Sequence, residues 1–202
     1  MQAITKGVIN LVLNGFSGWG LSTMSEILQV RSEEATVEDV RRLGRSQLFQ
    51  LYHAAEVPDF EAMKGEYRAE VLPVGPFAFV ADFYTHKMFG PGRWLGKAFH
   101  PLLKTSGWGY NIFAGKKGGD IFRTCRMNTF LGLSNMDDRD AFHLDYSPWN
   151  GFLNYTMHDE IRKINDRLYL GMGYMSAGGG PLNPAPFLVF GEPTHWVGPD
   201  KD

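Results

Sequence analysis

Asp159-Glu160-Ile161-Arg162-Lys163-Ile164-Asn165-Asp166-Arg167-Leu168-Tyr169-Leu170-Gly171-Met172 reads as two strands folded back on each other. Asn165-Asp166 supplies what a tight hairpin needs, because both side chains tolerate positive φ and hydrogen-bond their own backbone. Outward from this hairpin the chain keeps the same texture, with short apolar or alternating runs punctuated by Gly and Pro. Such runs lie near 65–73, 77–84, 94–102, 107–114, 121–134, 141–146, 159–164, 167–175 and 187–190. Two further turns are marked, one by Gly115-Lys116-Lys117-Gly118-Gly119 and one by Gly178-Gly179-Gly180-Pro181. Strand-like runs without helices between them argue against a parallel α/β fold. They argue for an antiparallel sheet that closes on itself, since closure removes exposed edges.

Upstream of these runs the pattern changes. Thr36 is a natural N-cap, and Glu38 and Asp39 stand in the first turn, where the helix dipole favours anions. Val37, Val40, Leu43, Leu48, Leu51 and Tyr52 then recur at helical spacing, which predicts one helix to about Ala55 with Gly44 inside it and Pro58 beyond it. Met24 to Val30 reads as a shorter helix. The predicted organisation is therefore an N-terminal helical segment, 1–57, packed on a mainly β barrel domain, 58–202. A chain of 202 residues with 44% hydrophobic content has material for one core of that size.

Charge and motif content exclude several functions. The net charge of −2 leaves no one-signed field for a nucleic acid, and Arg41-Arg42 and Lys116-Lys117 read as solvated surface. Cys125 is the sole cysteine, so an intramolecular disulfide and a Cys-type zinc site are both ruled out. That favours a reducing, cytoplasmic setting. Val8 to Leu13 is too short an apolar run to span a membrane. No GxGxxG, GxxxxGK or GxSxG motif occurs.

Gly65-Glu66-Tyr67-Arg68-Ala69 resembles the GxWxG start of a lipocalin-like family of unknown function, with Tyr67 in place of the Trp and Ala69 in place of the second Gly. Trp94-Leu95-Gly96-Lys97-Ala98-Phe99 is similar to that family's W-x-GK-x-F segment. His158-Asp159-Glu160-Ile161-Arg162-Lys163-Ile164, followed by Leu168-Tyr169-Leu170-Gly171-Met172, resembles the family's companion domain: an Asp, an Arg three residues later, then a hairpin. The resemblance runs in one order from about Leu48 to Phe190. It implies a lipocalin-like barrel, and it brings no established activity, so no catalytic role transfers with it.

A small barrel holds packed side chains or one small ligand, and its inward residues alternate with outward ones. Alternation in Phe142-His143-Leu144-Asp145-Tyr146 puts His143 and Asp145 on one face. If the helical segment packs over Phe142 and Leu144, His143 and Asp145 enter the barrel, His143 as acid or base and Asp145 orienting it or sharing the work. Arg126 or Tyr146 would then hold a developing oxyanion. Trp94, Trp108, Tyr110, Phe113, Asn128 and Trp149 are candidate lining. His158, Asp159 and Arg162 form a second polar group, in which an Asp159–Arg162 pair would clamp the barrel. The alternative for His143 and Asp145 is a solvent-facing strand edge. His143, Asp145, His158 and Asp159 lack the spacing of a compact metal motif, and neither metal nor cofactor is expected.

The expected partner is a small hydrophobic molecule. Two roles stay open: an isomerase or cyclase using acid–base chemistry, and a carrier or sensor of a lipid, terpenoid, pigment or haem. A third possibility is that the apolar face of the N-terminal segment makes a homodimer.

Overall fold

The computed structural model describes residues 22–74, 83–115 and 119–200. Eight strands, β1 (Gly65–Val71), β2 (Gly92–Pro101), β3 (Ser106–Gly115), β4 (Ile121–Leu133), β5 (Asp140–Asp145), β6 (Met157–Asn165), β7 (Leu168–Met175) and β8 (Ala185–Thr194), form one closed barrel. Each strand pairs antiparallel with the next, and β1 pairs with β8 to close the ring. The hairpin read first in the sequence is present, with Asp166 and Arg167 at its turn. Of the run at 77–84, residues 77–82 lie outside the described residues, and Tyr84–Met88 is a π-helical turn rather than a strand.

The N-terminal helices are α1 (Met24–Leu28), α2 (Val37–Arg41) and α3 (Arg45–Ala54). Thr23 and Thr36 cap α1 and α2, each bonded reciprocally with an acid three residues on, Glu26 and Asp39. The single helix predicted from Thr36 to Ala55 is broken at Arg42 to Gly44. Gly44 becomes the N-cap of α3, its N–H donating to Gln47 Oε1 at 3.0 Å. Leu28, Val40, Leu48, Leu51 and Tyr52 pack on the outer side of the barrel, against Ile164 of β6, Leu168, Leu170 and Met172 of β7, and Leu188 of β8. The apolar face of the described helices is thus covered by their own barrel. Residues 1–21 lie outside the described residues.

A second core lines the inside of the ring. At the end where β1 begins, Phe60 and Met63 close it, with Phe60 stacked on Phe142 at 4.9 Å between centroids. At the other end Phe89 lies edge-on to Phe113 and Tyr146, at 5.4 and 5.8 Å. Its carbonyl accepts from Asn154 Nδ2 at 3.0 Å and from Cys125 Sγ at 3.4 Å. Val71, Cys125, Met157, Gly173 and Ala185, nearest this end on the inner face, keep partial exposure.

Two bulges set which side chains enter the barrel. In β2, Trp94 pairs with Phe113 while Gly96 pairs with Ile112, so Leu95 is an extra residue. Trp94 and Lys97, three apart, therefore both point inward. In β4, Met127 pairs with Gly109 and Thr124 with Asn111, leaving Cys125 and Arg126 opposite Tyr110. Cys125 takes φ 53° there, a left-handed conformation that a non-glycine residue adopts at a cost. The bulge turns its carbonyl toward Asn111 Nδ2, which donates to it at 3.0 Å.

Candidate functional site

Inside the apolar ring sits a group of polar side chains that all bond to one another. Lys97 of β2, Asn111 of β3 and Asp159 of β6 point inward, with Tyr146 just past the end of β5, and each is buried. Lys97 Nζ donates to Asp159 Oδ2 at 2.7 Å, Tyr146 OH at 2.6 Å and Asn111 Oδ1 at 3.0 Å. Tyr146 OH donates to the same Asp159 Oδ2 at 2.9 Å and accepts from Asn111 Nδ2 at 3.2 Å. Trp94 Nε1 donates to Asn111 Oδ1 at 3.0 Å, so the indole orients the amide. The rings of Trp94, Phe187 and Tyr146 stand 5.1, 5.1 and 5.3 Å from Nζ, a distance at which their faces attract a cation.

Burial dominates the electrostatics. It pushes the Lys97 pKa down, and the Asp159 carboxylate pulls against that shift. Burial, reinforced by the Asp159 charge, pushes Tyr146 well above the ordinary phenol value, so Tyr146 keeps its proton and acts as a donor. Cys125, half-buried beside this group, is pushed up to about 11 by burial, which makes it an inert thiol rather than a nucleophile. An ammonium and a phenol side by side can hold a carbonyl or enolate oxygen, and an adjacent carboxylate can take a proton.

The structure sorts the residues singled out in the sequence by barrel face. Tyr146, Asp159, Trp94 and Phe113 lie inside. His143 and Asp145 do not: Phe142 and Leu144 fill the interior, and the alternation of β5 then turns His143 and Asp145 outward. The premise that Phe142 and Leu144 pack under the helices is reversed, because α3 covers the opposite face of the sheet. Arg126 also lies outside, between the indoles of Trp108 and Trp149 at 4.5 and 4.0 Å, while its neighbours Cys125 and Met127 pack inward. Trp149 Nε1 donates to Asn128 Oδ1 on this outer side at 2.8 Å. Tyr110 packs outside on Trp196 and donates to Glu66.

The proposed Asp159–Arg162 clamp is not formed. Asp159 points inward to Lys97. Arg162 points outward beneath α3, where its five N–H groups meet Asp137, Tyr52 O, Asp140 O and Arg139 O at 2.6–3.1 Å. Arg162 is a structural tie between α3 and the β4–β5 connection. Its neighbour Glu160, also outward, accepts from Tyr52 OH, Ser134 Oγ, Asn135 N–H and Tyr174 OH. His143 Nδ1 and His158 Nε2 lie 2.8 Å apart, and His143 Nδ1 is 4.0 Å from Glu160 Oε1. Among the described residues these three are the one group with the side-chain types and proximity of a metal site. The carboxylate already has four donors and the two imidazoles bond each other through His143 Nδ1 and His158 Nε2, while His143 Nε2 is buried with no hydrogen-bond partner among the described residues.

Lys97 and Asn111 were missed from the sequence. A lysine between Trp94 and Phe99 in an otherwise apolar run was a visible signal. Strict alternation from Trp94, however, sends Lys97 outward, and the Leu95 bulge that reverses this leaves no mark in the residue pattern.

No protein-family model matches the chain, and no curated protein matches it. A solved structure described as a protein from Thermomonospora curvata is similar, with 14% identity and a TM-score of 0.51 over 74% of this chain and 88% of that one. At that identity the likeness shows the fold alone. Fold and site together define an eight-stranded up-and-down barrel that encloses a lysine–tyrosine–aspartate–asparagine network.

Proposed function

We propose that the barrel takes up a small, largely apolar molecule through the end rimmed by Val71, Cys125, Met157 and Gly173, and catalyses its isomerisation or cyclisation at the Lys97–Tyr146–Asp159 group. The observation that carries this reading is the convergence of an ammonium, a phenol and a carboxylate inside a ring of aromatic and aliphatic side chains. Small-molecule sites have this composition, an apolar wall with a few placed polar groups. To hold the oxygen of a carbonyl on which negative charge develops, Lys97 releases Asn111 Oδ1 and Tyr146 releases Asp159 Oδ2, and each turns its freed donor to the substrate. Asp159 receives the proton lost from the neighbouring carbon and returns it elsewhere on the skeleton. In a cyclisation the same donors polarise the carbonyl, and the ring walls hold the chain folded.

A non-catalytic carrier is the second reading. It is favoured by the fact that all three Lys97 N–H groups are already bonded within the protein.

Titration with N-phenyl-1-naphthylamine tests the site, with saturable fluorescence enhancement expected in the wild type and its loss in Cys125→Trp, which fills the rim. Absence of saturation in the wild type would sink the ligand-binding reading. Native mass spectrometry of the protein purified without denaturant separates the two roles: an intact co-purified molecule favours the carrier.

A further inference from the structure

Counting the bonds of the inner network leaves one position open. Lys97 Nζ uses all three N–H groups, and Asn111 Nδ2 uses both of its own, on Cys125 O and Tyr146 OH. Asn111 Oδ1 accepts twice, and Tyr146 OH accepts twice and donates once. Asp159 Oδ2 accepts from both Lys97 and Tyr146. Asp159 Oδ1 accepts from no donor among the described residues.

The backbone next to that oxygen is arranged to leave it clear. Gly173 is the cross-strand partner of Asp159, and a Cβ there would stand 2.7 Å from Oδ1. The Phe187 ring occupies the space that a side chain at Gly171 would take, its nearest atom 2.1 Å from the Cβ position. At Gly173 the nearest ring atom is 3.6 Å away, and the residue keeps partial exposure at the rimmed end of the barrel. Asp159 Oδ1 is thus a carboxylate acceptor with free lone pairs on the inner face, able to take a donor that enters from the rimmed end.

We infer that the molecule bound in the barrel carries a hydrogen-bond donor, a hydroxyl or enol on an otherwise apolar skeleton, which Asp159 Oδ1 accepts beside Gly173. This rests on the reading of the interior as a ligand site, and it adds the substrate class. Lys97 and Tyr146 hold Asp159 by its other oxygen, so Oδ1 keeps a fixed direction.

The test compares two probes of one skeleton, 1-naphthol and 1-methoxynaphthalene, by calorimetric or fluorescence titration of the full chain. The wild type should bind the naphthol at least about tenfold more tightly, as a hydrogen bond to a charged acceptor implies, and Asp159→Asn should reduce that ratio severalfold. Equal binding of the two by the wild type overturns the inference and leaves the ligand site standing. Failure of both probes to bind removes the ligand site, and the inference with it. A ratio unchanged in Asp159→Asn also overturns the inference, because the hydroxyl is then held elsewhere. Should Asp159→Asn not fold, Gly173→Ala replaces it, since its Cβ presses on Oδ1 and should lower the ratio in the same way.

Discussion

Lys97 and Asp159 are the residues on which most depends, because each is a buried charge compensated by the other. Removing one partner leaves the second charge in the apolar interior, and Lys97→Met should cost about 3–5 kcal/mol in urea unfolding. Lys97→Met combined with Asp159→Leu removes both charges and should recover most of that loss; a double variant as unstable as the single one would mean the pair does not act as a unit. On the outer face, burial and then the neighbouring His143 hold the His158 pKa below its ordinary value. The unfolded chain therefore takes up a proton below about pH 6.5 that the folded protein refuses. More protons on the unfolded state means that stability falls as pH drops through this window. Thermal melts at pH 5 and pH 8 should show the difference, and His158→Asn should flatten it. Tyr146, Asp159, Trp94 and Phe113 were legible in the sequence as polar or aromatic residues on strand-like runs. Lys97 was not, because its direction depends on an inserted residue.

Single elements carry that kind of information by their irregularities. The β2 bulge at Leu95 brings Trp94 and Lys97 to one face, and the β4 bulge at Cys125 and Arg126 delivers a carbonyl to Asn111. β7 is shaped by two inward glycines. Gly171→Ala would drive a methyl group into the Phe187 ring, and its cost should be about 1–3 kcal/mol by denaturant unfolding, eased in Gly171→Ala with Phe187→Leu. An undiminished stability in Gly171→Ala would show that Phe187 can turn away. Among the helices, the cap at Thr36 and the first-turn acid Asp39 were readable from residue type and spacing. The break at Arg42 to Gly44 was not, since the apolar period continues through it. Thr36→Ala should cost about 1 kcal/mol by the same measurement.

At the scale of the molecule, the helices make the outer face of β6 to β8 a second buried surface. Deleting residues 1–57 uncovers Ile164, Leu168, Leu170, Met172 and Leu188 together, and removes Tyr52 from Glu160 and Arg162. Light scattering after size exclusion should then find aggregates; a monodisperse barrel would show that the helices are dispensable for folding. This double burial explains what could and could not be read from the chain. The barrel itself was determined locally: turn residues at Asn165-Asp166 and at the glycine clusters, strand-length runs between them, and no competing helices. Which face of each strand looks inward was decided only by the tertiary structure. Along β5, Phe142 and Leu144 on one side and Ala141 and His143 on the other are all buried. Polarity cannot tell inside from outside when α3 and the β4–β5 connection cover the outer face, and a one-residue bulge inverts any count of alternation.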